Sequence, residues 1–301
     1  MFTGKLFEIE DFADLAELAI CNSFSFSYAG KIDTALAPRV VACRSGEYLQ
    51  RALITSGVAG VIIPPSLRGL VPPSIGAAVA EDPIRSLNTI QAYLAKEDSG
   101  QWSRFESRIH DSVVRFPGCY VAPYDVIIEE CVTLYPNSVI MPRTIIGARS
   151  SIGAGTVVGT DAFEVDMTAE PRCILAQSGG VRIGSNVDIQ AGCTIVRATF
   201  GGFTELADET KLDCQVHFAH DCRAGRRVRI AACAELSGRV SIGDDSFIGP
   251  NAAIVNGAEI GTNAHVSIGA VVTRNVVDDS QVTGNFALDH DKWLKFVRSI
   301  R

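Results

Sequence analysis

Five histidines stand in this chain: His110, His217, His220, His265 and His290. Two of them lie three residues apart in Asp213-Cys214-Gln215-Val216-His217-Phe218-Ala219-His220-Asp221. An imidazole titrates near neutrality, so it can take a proton from a nucleophile and hand it on. What would face that imidazole follows from a six-residue period. Leu206, Leu212, Phe218, Ala224, Ile230, Leu236, Ile242, Ile248, Ile254, Ile260, Val266 and Val272 are all apolar. A period of six is neither helical nor the alternation of a strand. It marks a parallel β-helix, in which three six-residue sides close one triangular coil of eighteen residues. On such a coil the residue stacked above His220 is Gly238. A glycine there lets a ligand approach the backbone, and its N–H can serve an oxyanion. A base beside an open N–H is the smallest constellation for acyl transfer. A histidine on a solvated coil corner is the alternative reading.

The same period positions the rest. Small or β-branched residues follow four places after each aliphatic: Thr210, Val216, Cys222, Val228, Ala234, Val240, Ser246. A single coil cannot bury its own apolar residues, so coils must stack. An earlier run, Ile128, Leu134, Ile140, Ile146, Ile152 and Val158, keeps the same spacing, with Pro123, Pro136 and Pro142 where corners fall. From Ile109 to Val272 this predicts roughly eight coils. The period stops over Thr160 to Gly180, long enough for a functional insertion. It resumes at Ile183, Ile189 and Ile195. It then slips by one residue across Thr199-Phe200-Gly201-Gly202-Phe203, a predicted bulge.

Residues 1–98 lack the period and predict a small α/β domain. Val58 to Ile63 is a buried-strand signal and Gly76 to Ala80 a weaker one. Glu47 to Leu53 predicts a helix. Asp82-Pro83 opens another, carrying Ile84, Leu87, Ile90 and Leu94. Residues 99–108 read as a polar linker, 109–282 as the coil domain and 283–301 as a C-terminal segment. In that last segment Asp289 to Ile300 predicts a short helix, acidic first and basic last.

Composition narrows the classes. With 301 residues and a net charge of -7, the chain has no basic stripe to neutralise phosphates, so nucleic acid is not expected as a partner. Arg223, Arg226, Arg227 and Arg229 form the one basic cluster, read as a solvated edge or as a site for an anionic carrier. Nine cysteines without a CxxC pair favour a reducing compartment. No signal-peptide layout and no apolar run near the ~18 residues of a membrane span are present. A cytoplasmic protein is expected. A zinc site from His217, His220 and His265 would need residues from different sides of the prism, so no metal is expected.

The segment DCQVHFAHDCRAG resembles the catalytic segment of the UDP-3-O-acylglucosamine N-acyltransferases (the LpxD family). The resemblance extends through RSGEYLQRALITSGVAGVIIPP, GTDAF, VRIGSNVDIQAGCTIVRA, SGRVSIG and NFALDHDKW. It implies a mainly β fold, a left-handed parallel β-helix with a small N-terminal α/β domain and a short C-terminal helix. The left hand comes from the resemblance, against the right-handed rule for parallel crossovers. It further implies a homotrimer. The acyl chain, a 3-hydroxyacyl group, would pass from the 4'-phosphopantetheine of acyl carrier protein to the amine of a UDP-linked amino sugar, with no permanently bound cofactor. His220 would be the base and Gly238 the oxyanion donor. Tyr48, His217, Arg197, Asp161, Phe163 and Gln215 would contact substrate.

Several positions depart from the family pattern. Asn256-Gly257-Ala258 lacks a second histidine. Val196-Arg197-Ala198 keeps only the arginine of Asp-Arg-Gly. Asp161-Ala162-Phe163-Glu164 replaces Asp-Gly-Phe-Gly. Ala42 stands where a phenylalanine would stack on uracil opposite Tyr48, and the helical C-terminal extension is short. Two other functions therefore stay open: an acetyl-type transferase using a coenzyme A thioester, and a sugar-nucleotide-binding trimer without turnover.

Overall fold

A computed structural model describes every residue except Ala35, Asn285, Phe286 and Arg301. The Asn285-Phe286 pair that opens the terminal NFALDHDKW motif thus lies outside the described residues. The architecture is the expected left-handed β-helix. Its three sides are parallel sheets of eight, nine and eight short strands. Side 1 runs from Arg108–Ile109 to Glu259–Ile260, side 2 from Val114–Arg115 to Gln281–Val282, and side 3 from Tyr120–Val121 to Val271–Val272.

Each two-residue strand sends one side chain in and one out. The inward residues are the aliphatics of the six-residue period, and Leu236, Ile248, Val266 and Phe218 are fully buried. Truncating one such aliphatic to alanine costs about 2–5 kcal/mol through lost transfer energy and a cavity. Corners need a residue in the left-handed region, and it is the third after each aliphatic. Asp125, Cys131, Asn137, Arg143 and Arg149 take that conformation early in the helix, and Gln215, Asp221, Arg227, Cys233 and Arg239 take it later.

Register locates both breaks in the period. Neighbouring coils pair residues eighteen apart, as with Ile140 and Val158. Val158 pairs instead with Ile195, 37 residues on, so nineteen residues are inserted. Ile195 pairs with Phe218, 23 residues on. The apparent one-residue slip is therefore a five-residue insertion, which looks the same in a period of six. The longer insertion is not a bare loop, because Val165–Asp166 and Cys173–Ile174 form an antiparallel hairpin. Both insertions leave side 3 and re-enter on side 1, so they share one corner.

The N-terminal region is a five-stranded sheet with helices. β1 (Ala19–Asn22), β2 (Tyr28–Gly30), β3 (Arg39–Ala42), β4 (Val58–Ile63) and β5 (Gly76–Val79) take the order β1-β5-β4-β3-β2, with only β1 antiparallel to its neighbour. Helix α1 (Gly46–Ile54) starts where the Ser45 side chain accepts from the Tyr48 N–H. Helix α2 (Pro83–Leu94) is capped by Asp82, with Pro83 in its first turn. This region packs onto the insertion-bearing corner. Leu175 and Phe200, one from each insertion, are buried in the same cluster as Phe12, Phe26, Ile62 and Leu94. Fully buried Gln91 of α2 donates to the carbonyls of Ala176 and Thr199 and to Ser178 Oγ.

The 99–108 stretch is buried at its start, while Ser103, Arg104, Glu106 and Arg108 are exposed. Ser99, Gln101 and Trp102 are buried, and Trp102 bridges to Phe2. The Arg143 guanidinium lies over the Trp102 ring. At the other end, helix α3 (His290–Ser299) buries no residue, and Trp293 and Phe296 stay exposed.

Candidate active site

His220 lies on the insertion-bearing corner, between the side 3 strand His217–Phe218 and the side 1 strand Arg223–Ala224. Its imidazole is about one-tenth exposed. Nδ1 is 2.8 Å from Asp221 Oδ2 and 3.2 Å from Thr199 Oγ1. A carboxylate only accepts, so Nδ1 presents a proton to Asp221, and the tautomer that can act as a base is the one with its lone pair on Nε2. Two sequence neighbours can meet in this way because Asp221 occupies the left-handed corner position, with φ of 59°. Asp221 is itself held, its N–H donating to Thr204 Oγ1 and its carboxylate receiving the Thr199 N–H.

Gly238 sits one coil above, and the imidazole covers its α-carbon: a Cβ built there would overlap Nε2 and Cε1. The Gly238 carbonyl accepts from Gly257 N–H, and the His220 carbonyl from Arg239 N–H. The Gly238 N–H has no hydrogen-bond partner among the described residues. Asn256, where the family pattern leads toward a second histidine, stacks above Gly238, and its Oδ1 accepts from Arg239 Nη2 at 2.7 Å.

Two further groups reach this corner. Glu164, from the long insertion, places Oε2 3.6 Å from His220 Nε2. Its other oxygen pairs with Lys31 Nζ at 2.9 Å. Lys31 follows β2, so the N-terminal domain, the insertion and the coil converge here. Glu164 and Lys31 also line a cavity of about 1040 Å³ between the N-terminal domain and the hairpin. Arg44, Arg85 and Arg172 add positive charge to its wall, and Asp82 carries a carboxylate paired with Arg44 at 2.8 Å. The Arg44 guanidinium and the helix-cap N–H groups hold the Asp82 carboxyl below its usual range, against the opposing effect of burial.

The substrate-contact residues implied by resemblance divide into three groups. Tyr48 of α1 and Ala42 both line the cavity, and the Tyr48 hydroxyl accepts from Ile32 N–H at 3.3 Å. Burial pushes the Tyr48 phenol up. Arg197 and Asp161 belong to the His220 corner and pair at 3.3 Å. Burial lowers the Arg197 guanidinium, Asp161 opposes that, and Arg197 Nε also donates to the Gly159 carbonyl. Phe163 is 89% exposed. The other two residues lie elsewhere. Gln215 occupies the corner between sides 2 and 3, accepting from Cys233 Sγ. His217 points outward from side 3, 3.8 Å from Glu235.

Sequence reasoning missed Asp221, Thr199 and Glu164 as partners of His220, and Lys31 as the partner of Glu164. Asp221 had a signal, since an aspartate three residues past an aliphatic fits the left-handed corner. The others come from insertions and from a separate domain, which no spacing relates. His265 lies on side 2 and His217 on side 3, so the three histidines do not converge. The arginine cluster is an edge of ion pairs and ring contacts: Arg227 holds Asp245 through two bonds, and Arg229 lies over Phe247.

Two family models match the coil. Bacterial transferase hexapeptide (six repeats) matches residues 125–160, and the hexapeptide repeat of succinyl-transferase matches residues 239–274. The UDP-3-O-acylglucosamine N-acyltransferase of Janthinobacterium sp. (strain Marseille) is 30% identical over 168 residues, 56% of this chain and 48% of that one. The protein of that name from Bordetella parapertussis is 35% identical over 167 residues, 53% of this chain and 45% of that one. The chain spans about half the length of the curated relatives it matches. A UDP-N-acetylglucosamine acyltransferase structure from Campylobacter jejuni superposes with a TM-score of 0.49 at 23% identity, covering 64% of this chain and 83% of that one. This chain is thus a hexapeptide-repeat β-helix protein similar, over about half its length, to UDP-3-O-acylglucosamine N-acyltransferases.

Proposed function

We propose that this protein transfers an acyl group from a thioester to the amine of a UDP-linked amino sugar, the activity carried in the names of its relatives. The observation that carries the proposal is the placement of His220, with Nδ1 on Asp221 and its ring against the α-carbon of Gly238, whose N–H has no partner among the described residues. In this reaction the amine nitrogen attacks the thioester carbonyl while His220 Nε2 takes its proton. The carbonyl oxygen becomes an oxyanion that receives the Gly238 N–H. Collapse forms the amide and breaks the carbon–sulfur bond, and the thiolate leaves with the proton held by His220. A base and one oxyanion donor are each worth about 100- to 1,000-fold.

The cavity beside Tyr48 is the place for the nucleotide, its cations matching a diphosphate. The donor is the phosphopantetheine thioester of acyl carrier protein, with coenzyme A as the alternative carrier. Gln215 and His217 lie away from their own chain's His220, and a homotrimer would bring them toward a neighbour's. Among the described residues no helix is long and apolar enough to cross a membrane. A cytoplasmic setting is part of this proposal, supported by nine cysteines without a CxxC pair. Turnover with acyl carrier protein and with acetyl-coenzyme A donors, using UDP-3-O-acylglucosamine as acceptor, tests the proposal. Product formation that His220→Ala abolishes supports it, and product formation that His220→Ala leaves intact refutes the assignment.

A second reading, sugar-nucleotide binding without turnover, is favoured by Glu164 facing Nε2. It predicts calorimetric binding of UDP-N-acetylglucosamine and no acyl product with either donor.

A further inference from the structure

We infer that Glu164 is a specificity-determining residue, which makes the site select a nitrogen nucleophile over an oxygen one. This rests on the acyl-transfer reading and adds the acceptor's reacting atom to it. Glu164 Oε2 stands 3.6 Å from His220 Nε2, the nitrogen that takes the proton in the acyl-transfer reading and where an acceptor must arrive to lose it. The carboxylate is held from the other side by Lys31 at 2.9 Å and lines the large cavity. A nucleophile reaching Nε2 from that cavity therefore meets two hydrogen-bond acceptors, the imidazole nitrogen and the carboxylate.

An amine satisfies both. It carries at least two protons, and as it attacks the carbonyl its nitrogen becomes a tetrahedral ammonium. One N–H then points to His220 Nε2 and is transferred, and the other is given to Glu164 Oε2 and stays in the amide product. A hydroxyl has one proton. Once that proton is given to His220, the oxygen turns a lone pair toward the carboxylate, which has nothing to donate. Two acceptors bonded to one tetrahedral nitrogen stand about 4.7 Å apart. Glu164 therefore withdraws about 1 Å as the acceptor enters, a shift its partly exposed side chain can make. Replacement by glutamine keeps the shape and supplies an N–H that can face an oxygen lone pair.

The test compares UDP-3-O-acylglucosamine with the matching UDP-3-O-acylglucose as acceptors, in wild type, Glu164→Gln and Glu164→Asp. Wild type should acylate the amine far faster. Glu164→Gln should lower kcat/KM for the amine about 10- to 100-fold and reduce the amine-to-hydroxyl ratio by at least tenfold, the range of a lost charged hydrogen bond. Glu164→Asp should retain part of the ratio. Lys31→Met removes the ion pair but keeps the carboxylate, so it should leave the ratio within a few-fold of wild type. The inference is overturned if Glu164→Gln keeps the wild-type ratio, or if it slows both acceptors equally, as loss of a merely structural ion pair would. A wild type that acylates neither acceptor overturns the acyl-transfer reading itself, and this inference with it.

Discussion

The imidazole of His220 rests on the α-carbon of Gly238, leaving no room there for a methyl group. Gly238 is not among the positive-φ glycines, so its backbone alone would accept alanine. Gly238→Ala should therefore act through His220, displacing the ring from its place against the α-carbon and lowering kcat about 100-fold or more. His220→Ala should make room for that methyl. The double variant His220→Ala/Gly238→Ala should then recover most of the stability that Gly238→Ala loses. Thermal unfolding of the four proteins gives the coupling directly, and additive losses would refute the contact.

Asp221 fixes which nitrogen of His220 carries the proton. Asp221→Asn offers an N–H in place of a lone pair, so the ring would take the other tautomer or turn. Activity should fall about 100- to 10,000-fold with little change in UDP binding. Steady-state kinetics beside a calorimetric UDP titration checks this, and a parallel loss of binding would point to general damage.

The solenoid was legible because burial repeats with the backbone. Every sixth side chain must enter the prism, so Leu236 and Ile248 declare themselves. Modular counting hid the size of the second insertion, since adding five residues and removing one look alike in a period of six. The vertical step from His220 to Gly238 followed from the coil length. The lateral contacts did not, because Glu164 reaches the histidine, and Lys31 reaches Glu164, from parts of the chain that obey no common period. The buried stretch around Trp102 misled for another reason. Its polar residues turn inward, Ser99 Oγ donating to the Leu94 carbonyl and Gln101 Nε2 to the Ser27 carbonyl rather than to water.

Gln91 joins helix α2 to both insertions through one buried amide. Gln91→Leu would leave the Ala176 and Thr199 carbonyls without that donor and cost about 2–4 kcal/mol. The melting temperature should drop by several degrees. Trypsin should then cut faster after Arg172, in the hairpin loop, than after arginines of the coil. Equal acceleration at all sites would mean that Gln91 stabilises the whole molecule rather than this junction.

Burial pushes the thiols of Cys43 and Cys222 up to about 12 and that of Cys193 to about 11. The ordinary value of such a thiol is 9.0. The unfolded chain thus releases these protons at lower pH than the folded one. Their contribution is fully present below pH 9 and is lost as pH rises through about 11 to 12. Urea midpoints measured from pH 8 to 11 should fall, and less so in Cys222→Ala. Iodoacetamide on the native protein at pH 8 should label Cys131, Cys173 and Cys233, which are exposed, and spare the three buried thiols.

The sharing of one hydrophobic cluster by the N-terminal sheet and by Leu175 and Phe200 has a consequence for biogenesis. On the ribosome the first hundred residues emerge well before the side chains that seal their core. That domain must wait, part of its apolar surface uncovered, until the chain has been made past Phe200 and four coils have wound. Its completion is then an event of the coil, and ribosome-bound chains ending shortly before Phe200 should be the ones most in need of a chaperone.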